Sequence, residues 1–225
     1  MTGRDDADGG RALVVRGGWE GHDPLGTTGL FLPFLREHFA EVLVSDTLEP
    51  YADPGLLAGV DLVVQCWSMG EITREQAKGL SAAVRAGTGF AGWHGGVLDS
   101  FRGELRYQVM VGGQFMAHPG DRVRHQVRIV PERAGHPVVS GLDTIELETE
   151  QYWVLTDSAI DVLATTVLSP GPDDPWPEPL CLPVVWTRRW GRGRVFVSAV
   201  GHDTADLSVP AVRTLTRRGL LWASR

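Results

Sequence analysis

The hydrophobic rhythm of the chain changes near its midpoint. In the first half, short unbroken apolar runs alternate with stretches of helical spacing. The run Ala12-Leu-Val-Val15 is wholly apolar and is followed by Gly17-Gly18, the mark of a strand buried on both faces. Leu30, Phe34, Leu35 and Phe39 recur at helical spacing, predicting a helix over 29–39 that covers the sheet. Residues 42–45 and 60–64 read as further strands. Residues 73–86 read as a helix with Thr73 as N-cap and Gly87 as its stop. A fourth short strand spans 89–92. Strands alternating with helices predict a parallel, doubly wound α/β sheet.

The second half reads differently. Val123-Arg-His-Gln-Val-Arg-Ile-Val130 alternates strictly, as a half-exposed strand does, with His125 on its outward face. Residues 162–168 form another strand, and a Pro-rich loop over 170–183 separates it from Val184-Val-Trp186. The last strong strand covers 194–200 and closes at Gly201-His202-Asp203. A final helix, roughly 209–222, offers Leu215, Leu220 and Trp222 to the core. The polar start, residues 1–11, reads as a disordered tail, and 12–225 as a single α/β domain with antiparallel additions in its second half.

Composition removes some functions. A net charge of −7 argues against a nucleic-acid partner, which needs a basic face. No apolar run approaches membrane-spanning length and no signal peptide opens the chain, so a cytoplasmic protein is expected. Cys66 and Cys181 lack metal-type spacing. Walker, Gly-x-Gly-x-x-Gly, His-Glu-x-x-His and Cys-x-x-Cys motifs are all missing, which weakens a nucleotide-driven chemistry.

Candidate chemistry gathers at strand ends, where open α/β sheets bind their ligands. Gly92-Trp-His-Gly-Gly96 has the Gly-x-X-x-Gly spacing of a nucleophile elbow, with His94 at its tip instead of serine or cysteine. His22 follows the first strand and His202 the last. Imidazole titrates near neutrality and ligates metals, so His94 and His202 are candidate catalytic groups. Asp203 beside His202 also suits a plain helix N-cap. Glu148, Glu150 and Tyr152 alternate, which would aim them together from one strand face. His118 stands in the phrase Gly112-Gly-Gln-Phe-Met-Ala-His-Pro119.

Taken in order, these phrases resemble the ThuA-like (trehalose utilisation) family, whose fold is that of class I glutamine amidotransferases. The matching pieces are Gly92-Trp-His-Gly-Gly96 with Asp99, the Gly112–Pro119 phrase, His136-Pro, Ser140-Gly-Leu142 and Glu150-Gln-Tyr152. Pro183-Val-Val-Trp186, Gly191-Arg-Gly-Arg-Val-Phe196, Gly201-His202 and Gly219-Leu-Leu-Trp-Ala223 complete the set. The resemblance implies a flavodoxin-like parallel sheet flanked by helices and a link to disaccharide or keto-glycoside catabolism. Glutamine hydrolysis needs a thiolate at the elbow, which His94 excludes. The expected enzyme is a sugar hydrolase, lyase or isomerase; a non-catalytic sugar-binding or regulatory protein is the alternative. In the enzyme reading Trp19, His22, Trp67, Trp93, His118, Glu150 and Tyr152 line the sugar site. A divalent metal such as zinc is compatible with it, with His94, His118 and His202 as candidate ligands. The expected partner is a small carbohydrate, with homo-oligomerisation left open.

Overall fold

The computed structural model describes residues 9–225; most of the expected tail falls on residues 1–8, outside the described residues. Its last residue, Arg11, already belongs to β1 (Arg11–Gly18), where its N–H donates to Asp61 at 2.7 Å. After β1 the chain makes a single 3-10 turn (Glu20–His22), then α1 (Pro24–Gly29), α2 (Leu32–His38) and β2 (Glu41–Ser45). α3 (Pro54–Ala58), β3 (Leu62–Ser68), α4 (Arg74–Ala86) and β4 (Gly89–Trp93) follow. The second half holds α5 (Gly95–Leu98), α6 (Leu105–Val111), β5 (Gly113–Ala117), β6 (Arg122–Ile129), β7 (Ile145–Glu150) and β8 (Trp153–Thr156). β9 (Asp161–Leu168), β10 (Leu180–Trp190), β11 (Gly193–Ser198), α7 (Thr204–Ser208) and α8 (Pro210–Ala223) complete it.

Nine strands form one sheet in the order β2-β1-β3-β4-β11-β10-β9-β6-β7. The first five run parallel, in the 2-1-3-4-5 arrangement of flavodoxin-like sheets if parallel strands alone are counted. The other four are antiparallel, and β5 pairs with β8 in a separate two-stranded ribbon. The expected architecture is therefore present: a parallel sheet flanked by helices, extended by antiparallel strands. The reason lies in the patterning. β3 and β4 are buried almost throughout because helices cover both faces, whereas β6 and β7 alternate buried and exposed positions. Among the described residues no helix is long and apolar enough to cross a membrane.

Several boundaries differ from expectation for identifiable reasons. The helix expected over 29–39 is two helices, because Pro33 lacks an N–H and is seated in the first turn of a new one. β10 begins inside the expected Pro-rich loop, and Pro183 is accommodated where the β9–β10 register slips. His125 is not on an outward face: it is buried, in phase with Val123 and Val127, and its Nδ1 contacts the Val123 carbonyl at 3.0 Å. Trp222 is only partly buried, beneath the Arg194 guanidinium, while Leu215 and Leu220 enter the core. Thr73 caps α4 as expected, and its N–H in turn donates to Gln76 Oε1 at 3.0 Å, a capping box of the kind that contributes about 1 kcal/mol.

Candidate functional site

The carboxyl ends of β1, β4 and β11 place three histidines together. His94 follows β4 directly and caps α5 with φ 49° and ψ −142°, a conformation a non-glycine residue adopts only under strain. The glycines around it serve close approach. A Cβ on Gly92 would lie 2.7 Å from the Gln65 carbonyl oxygen, and one on Gly96 2.8 Å from the Cys66 Cα. At Gly95 a Cβ would stand 2.1 Å from His22 Cε1, so the missing side chain is what lets His22 reach the elbow. The elbow read from the sequence is real, with an imidazole at its tip.

The three rings meet edge to face. Centroids of His22 and His94 are 4.9 Å apart, those of His22 and His202 5.2 Å, and those of His94 and His202 5.3 Å. Glu150, at the end of β7, bridges two of them: Oε2 lies 3.0 Å from His94 Nε2 and Oε1 3.3 Å from His202 Nδ1. The ligand atoms of His22, His94, Glu150 and His202 all lie within 4.8 Å of one another, so this set could hold a metal ion.

Surrounding groups anchor the His94 and His22 rings and the His202 backbone. His94 Nδ1 sits 2.9 Å from the Ala199 carbonyl, which can only accept, so the proton is on Nδ1 and Nε2 faces Glu150. His22 Nδ1 contacts Ser68 Oγ at 2.6 Å, leaving Nε2 for the cluster. The His202 backbone N–H donates to Asp206 Oδ2 at 3.1 Å, and Thr149 Oγ1 donates to the same carboxylate oxygen. Asp206 thereby ties the His202 loop to β7, the strand that carries Glu150. Asp203 is the N-cap of α7, accepting from Asp206 N at 2.9 Å.

Burial, and then the neighbouring His94 and His202 rings, push the His22 imidazole down to about 3, so it stays neutral. Burial also opposes ionisation of Glu150, but contacts from His202 and His94 outweigh it and hold its carboxyl below the usual carboxylate range. The His202 imidazole is raised, first by its contact with Glu150, against burial. The cluster sets a half-buried carboxylate among three imidazoles.

The other expected site residues divide. Tyr152 stacks on His94 with centroids 4.0 Å apart and is backed by Phe115 at 4.4 Å. Trp19, 47% exposed, stands edge-on to His22 at 4.7 Å and forms the rim. Glu148 stays on the surface beside Arg124, because the strand ends at Glu150 and the chain turns there. His118 does not join the metal-type set; it is part-exposed at the rim, 3.2 Å from Asp121, and stacks on Phe115. Trp93 is buried in the core against Phe31, with no face left for a sugar. Trp67 lies against Gly17 and Gly70, on the face of β3 opposite Ser68, because successive strand residues alternate. Cys66 is buried with its thiol pushed up to about 11 by burial, and Cys181 is exposed on β10; neither is at the elbow.

Sequence reasoning missed Ser68, Asp206 and Phe115 as supports. Ser68 had a signal, since it closes a strand that ends at this sheet edge. Asp206 had only the Asp203-x-x-Asp206 helix start. A cleft of about 420 Å³ lined by Met69, Ile72, Phe101, Arg102 and Glu104 opens between the loops after β3 and β4. A larger one, about 560 Å³, lies by β6 and the loop after β9, with Arg124, Arg128 and Gln151 in its wall and no histidine cluster.

Comparison with known proteins agrees with this picture. The chain resembles a ThuA-like protein from Bacteroides uniformis, with a TM-score of 0.74 at 15% identity over 98% of this chain and 93% of that one. It also resembles a ThuA-like protein from Parabacteroides merdae, with a TM-score of 0.73 at 17% identity over 95% and 89% of the two chains. Likeness to a β-galactosidase from Rahnella sp. R3 covers 96% of this chain but 31% of that one, with a TM-score of 0.57 at 18% identity. At these identities the structures speak to the fold alone. No curated protein sequence matches the chain. The family model described as "ThuA: Trehalose utilisation" matches residues 11–223, nearly the whole described chain, so the protein belongs to the ThuA family, which ties it to sugar metabolism.

Proposed function

We propose that this protein is an enzyme of sugar catabolism that acts on a disaccharide or keto-glycoside, by hydrolysis, elimination or isomerisation, at the His22–His94–His202–Glu150 centre. One observation carries the reading: three imidazoles and a carboxylate from four separate strand ends have their ligand atoms within 4.8 Å. Burying such groups together costs stability, and the strained φ of His94 adds roughly 1–3 kcal/mol to that cost. Perturbed titratable groups gathered at the ligand-binding edge of an α/β sheet are the mark of a working site.

The arrangement suits sugar chemistry. Glycoside cleavage needs a proton delivered to a leaving oxygen; elimination or isomerisation beside a keto group needs a proton taken from carbon and returned. The Glu150–His202 pair, 3.3 Å apart, can serve as a proton acceptor and donor or as two ligands of a metal ion that polarises the substrate. Trp19 gives a stacking face at the rim, and Tyr152 closes the opposite side over His94. Arg102 lies over Phe115, the ring behind Tyr152, and in this reading the cleft that it lines with Glu104 takes hydroxyls beyond the reacting centre.

The test is turnover of trehalose, other disaccharides and their keto derivatives by wild type, His94→Ala and His202→Ala. Wild type should turn over at least one of them, and each variant should lose on the order of 100-fold or more in kcat/KM while its circular dichroism is unchanged. A wild type that binds these sugars without turning any over, with variants that bind as well, would replace the enzyme by a sugar-binding protein.

A further inference from the structure

We infer that His22, His94, His202 and Glu150 form an N3O site for one divalent first-row transition ion, of the zinc, cobalt, manganese or iron class, with at least one coordination position open to substrate. The inference rests on the proposed function only in taking this cluster as the working site.

Geometry is the first argument. Two donors held about 2.1 Å from a common ion at 90–110° stand roughly 3.0–3.4 Å apart. The Glu150 oxygens lie 3.0 Å from His94 Nε2 and 3.3 Å from His202 Nδ1, and the outermost donors in the set are within 4.8 Å. A small contraction would bring all four onto one centre.

The inward nitrogens point the same way. His94 spends its Nδ1 proton on the Ala199 carbonyl, so Nε2 is the nitrogen turned to a carboxylate oxygen. The 3.0 Å between Nε2 and the carboxylate oxygen is bridged by a cation, a proton or a metal ion, and only a metal ion takes the ligand atoms of His22 and His202 as well. His22 is likewise anchored through Nδ1, here by the Ser68 hydroxyl, which can donate or accept, and Nε2 is left for the cluster. An imidazole anchored at one nitrogen by a protein oxygen, with the other turned inward, is how histidine metal ligands are oriented.

Donor chemistry then selects the ion. Three imidazoles disfavour magnesium and calcium, which prefer all-oxygen shells, and suit first-row transition ions. Four protein donors would close a tetrahedral ion, so reaction at the metal requires five or six coordination.

The experiment uses the full chain, stripped with a chelator and titrated calorimetrically with Zn²⁺, Co²⁺, Mn²⁺ and Mg²⁺, alongside elemental analysis of untreated protein. One transition ion per chain is expected, bound far more tightly than Mg²⁺. Glu150→Gln and His94→Ala should weaken it by at least about 100-fold, and Ser68→Ala by about 10–100-fold, the range for loss of a supporting partner. Should a variant not fold, the Co²⁺ absorption spectrum of wild type still decides: weak bands mark five or six coordination. An intense tetrahedral spectrum would overturn the open position, and no transition-ion binding above that of Mg²⁺ would overturn the site. Metal binding without sugar turnover would leave this inference standing and remove the proposed function; turnover by metal-free protein would do the reverse.

Discussion

Gln65 offers the sharpest test of how the fold holds the elbow. It is fully buried on β3, behind α5, and both ends of its amide are used. Its Oε1 accepts from the Tyr51 hydroxyl at 3.0 Å. Its Nε2 lies within bonding distance of the Gly96 carbonyl (3.2 Å), Ser100 Oγ (3.2 Å) and Tyr107 Oη (2.6 Å). Gln65→Leu keeps the approximate volume and removes both ends. Tyr107 keeps the Val97 carbonyl and Ser100 keeps the Trp67 carbonyl, so the groups left short are the Tyr51 hydroxyl and the Gly96 carbonyl. Each unsatisfied buried group costs about 1–3 kcal/mol, giving a loss of about 2–6 kcal/mol against a typical total of about 5–15. Urea unfolding followed by tryptophan fluorescence should show the midpoint falling at unchanged slope. Adding Tyr51→Phe to Gln65→Leu should recover about 1–3 kcal/mol by deleting one orphan, whereas Tyr51→Phe alone should destabilise. A loss below about 1 kcal/mol, or strict additivity of the two changes, would refute the network.

Three further outcomes are expected. Gly95→Ala puts a methyl 2.1 Å from His22 Cε1, so it should displace that ring and sharply weaken ligand binding, measured by calorimetry, with a smaller effect on unfolding. Asp206→Ala removes the acceptor shared by Thr149 and the His202 N–H and should lower unfolding free energy by about 1–3 kcal/mol; an unchanged urea midpoint would show that the tie carries nothing. His125 is lowered by burial, only partly offset by its bond to the Val123 carbonyl. A depressed histidine contributes stability that is present above its unfolded pKa of about 6.5 and lost as the pH falls below it. His125→Phe should therefore flatten the decline of unfolding free energy below about pH 6.5, and an equal slope in both proteins would count against it.

The fold was legible where burial is uniform. Runs such as Ala12-Leu-Val-Val15 declare a strand covered on both faces, and the Thr73 and Gly87 punctuation declares a helix between caps. Legibility failed where a local rule was overridden by packing. Pro183 reads as loop, yet a slip in the pairing of β9 and β10 lets it stay in a strand. His125 reads as polar and outward by residue type, although its phase with Val123 and Val127 already pointed inward. Trp93 reads as a sugar platform because it adjoins His94, but neighbouring residues on a strand face opposite ways, so the tip of the elbow and a core tryptophan go together.

The site was legible one loop at a time and not as a set. His22, His94 and His202 each follow a parallel strand, and parallel strands deliver their ends to one edge, so topology alone brings these three together. Glu150 comes from β7, at the far edge of the sheet in strand order, and is antiparallel to its neighbour. Alternation with Glu148 and Tyr152 marked Glu150 as a candidate, but its meeting with the histidines depends on the turn after β7 and on the Asp206 tie that holds the His202 loop against that strand. The consequence bears on the elbow. A serine or cysteine at its tip works with a free side chain that must attack, whereas His94 is pinned at Nδ1 by Ala199 and capped by Tyr152, so it can move little. With Glu150 at Nε2 as the third restraint, such a group is unsuited to attack and well suited to hold another atom in place. The strained backbone that would expose a nucleophile here fixes His94 Nε2 toward Glu150.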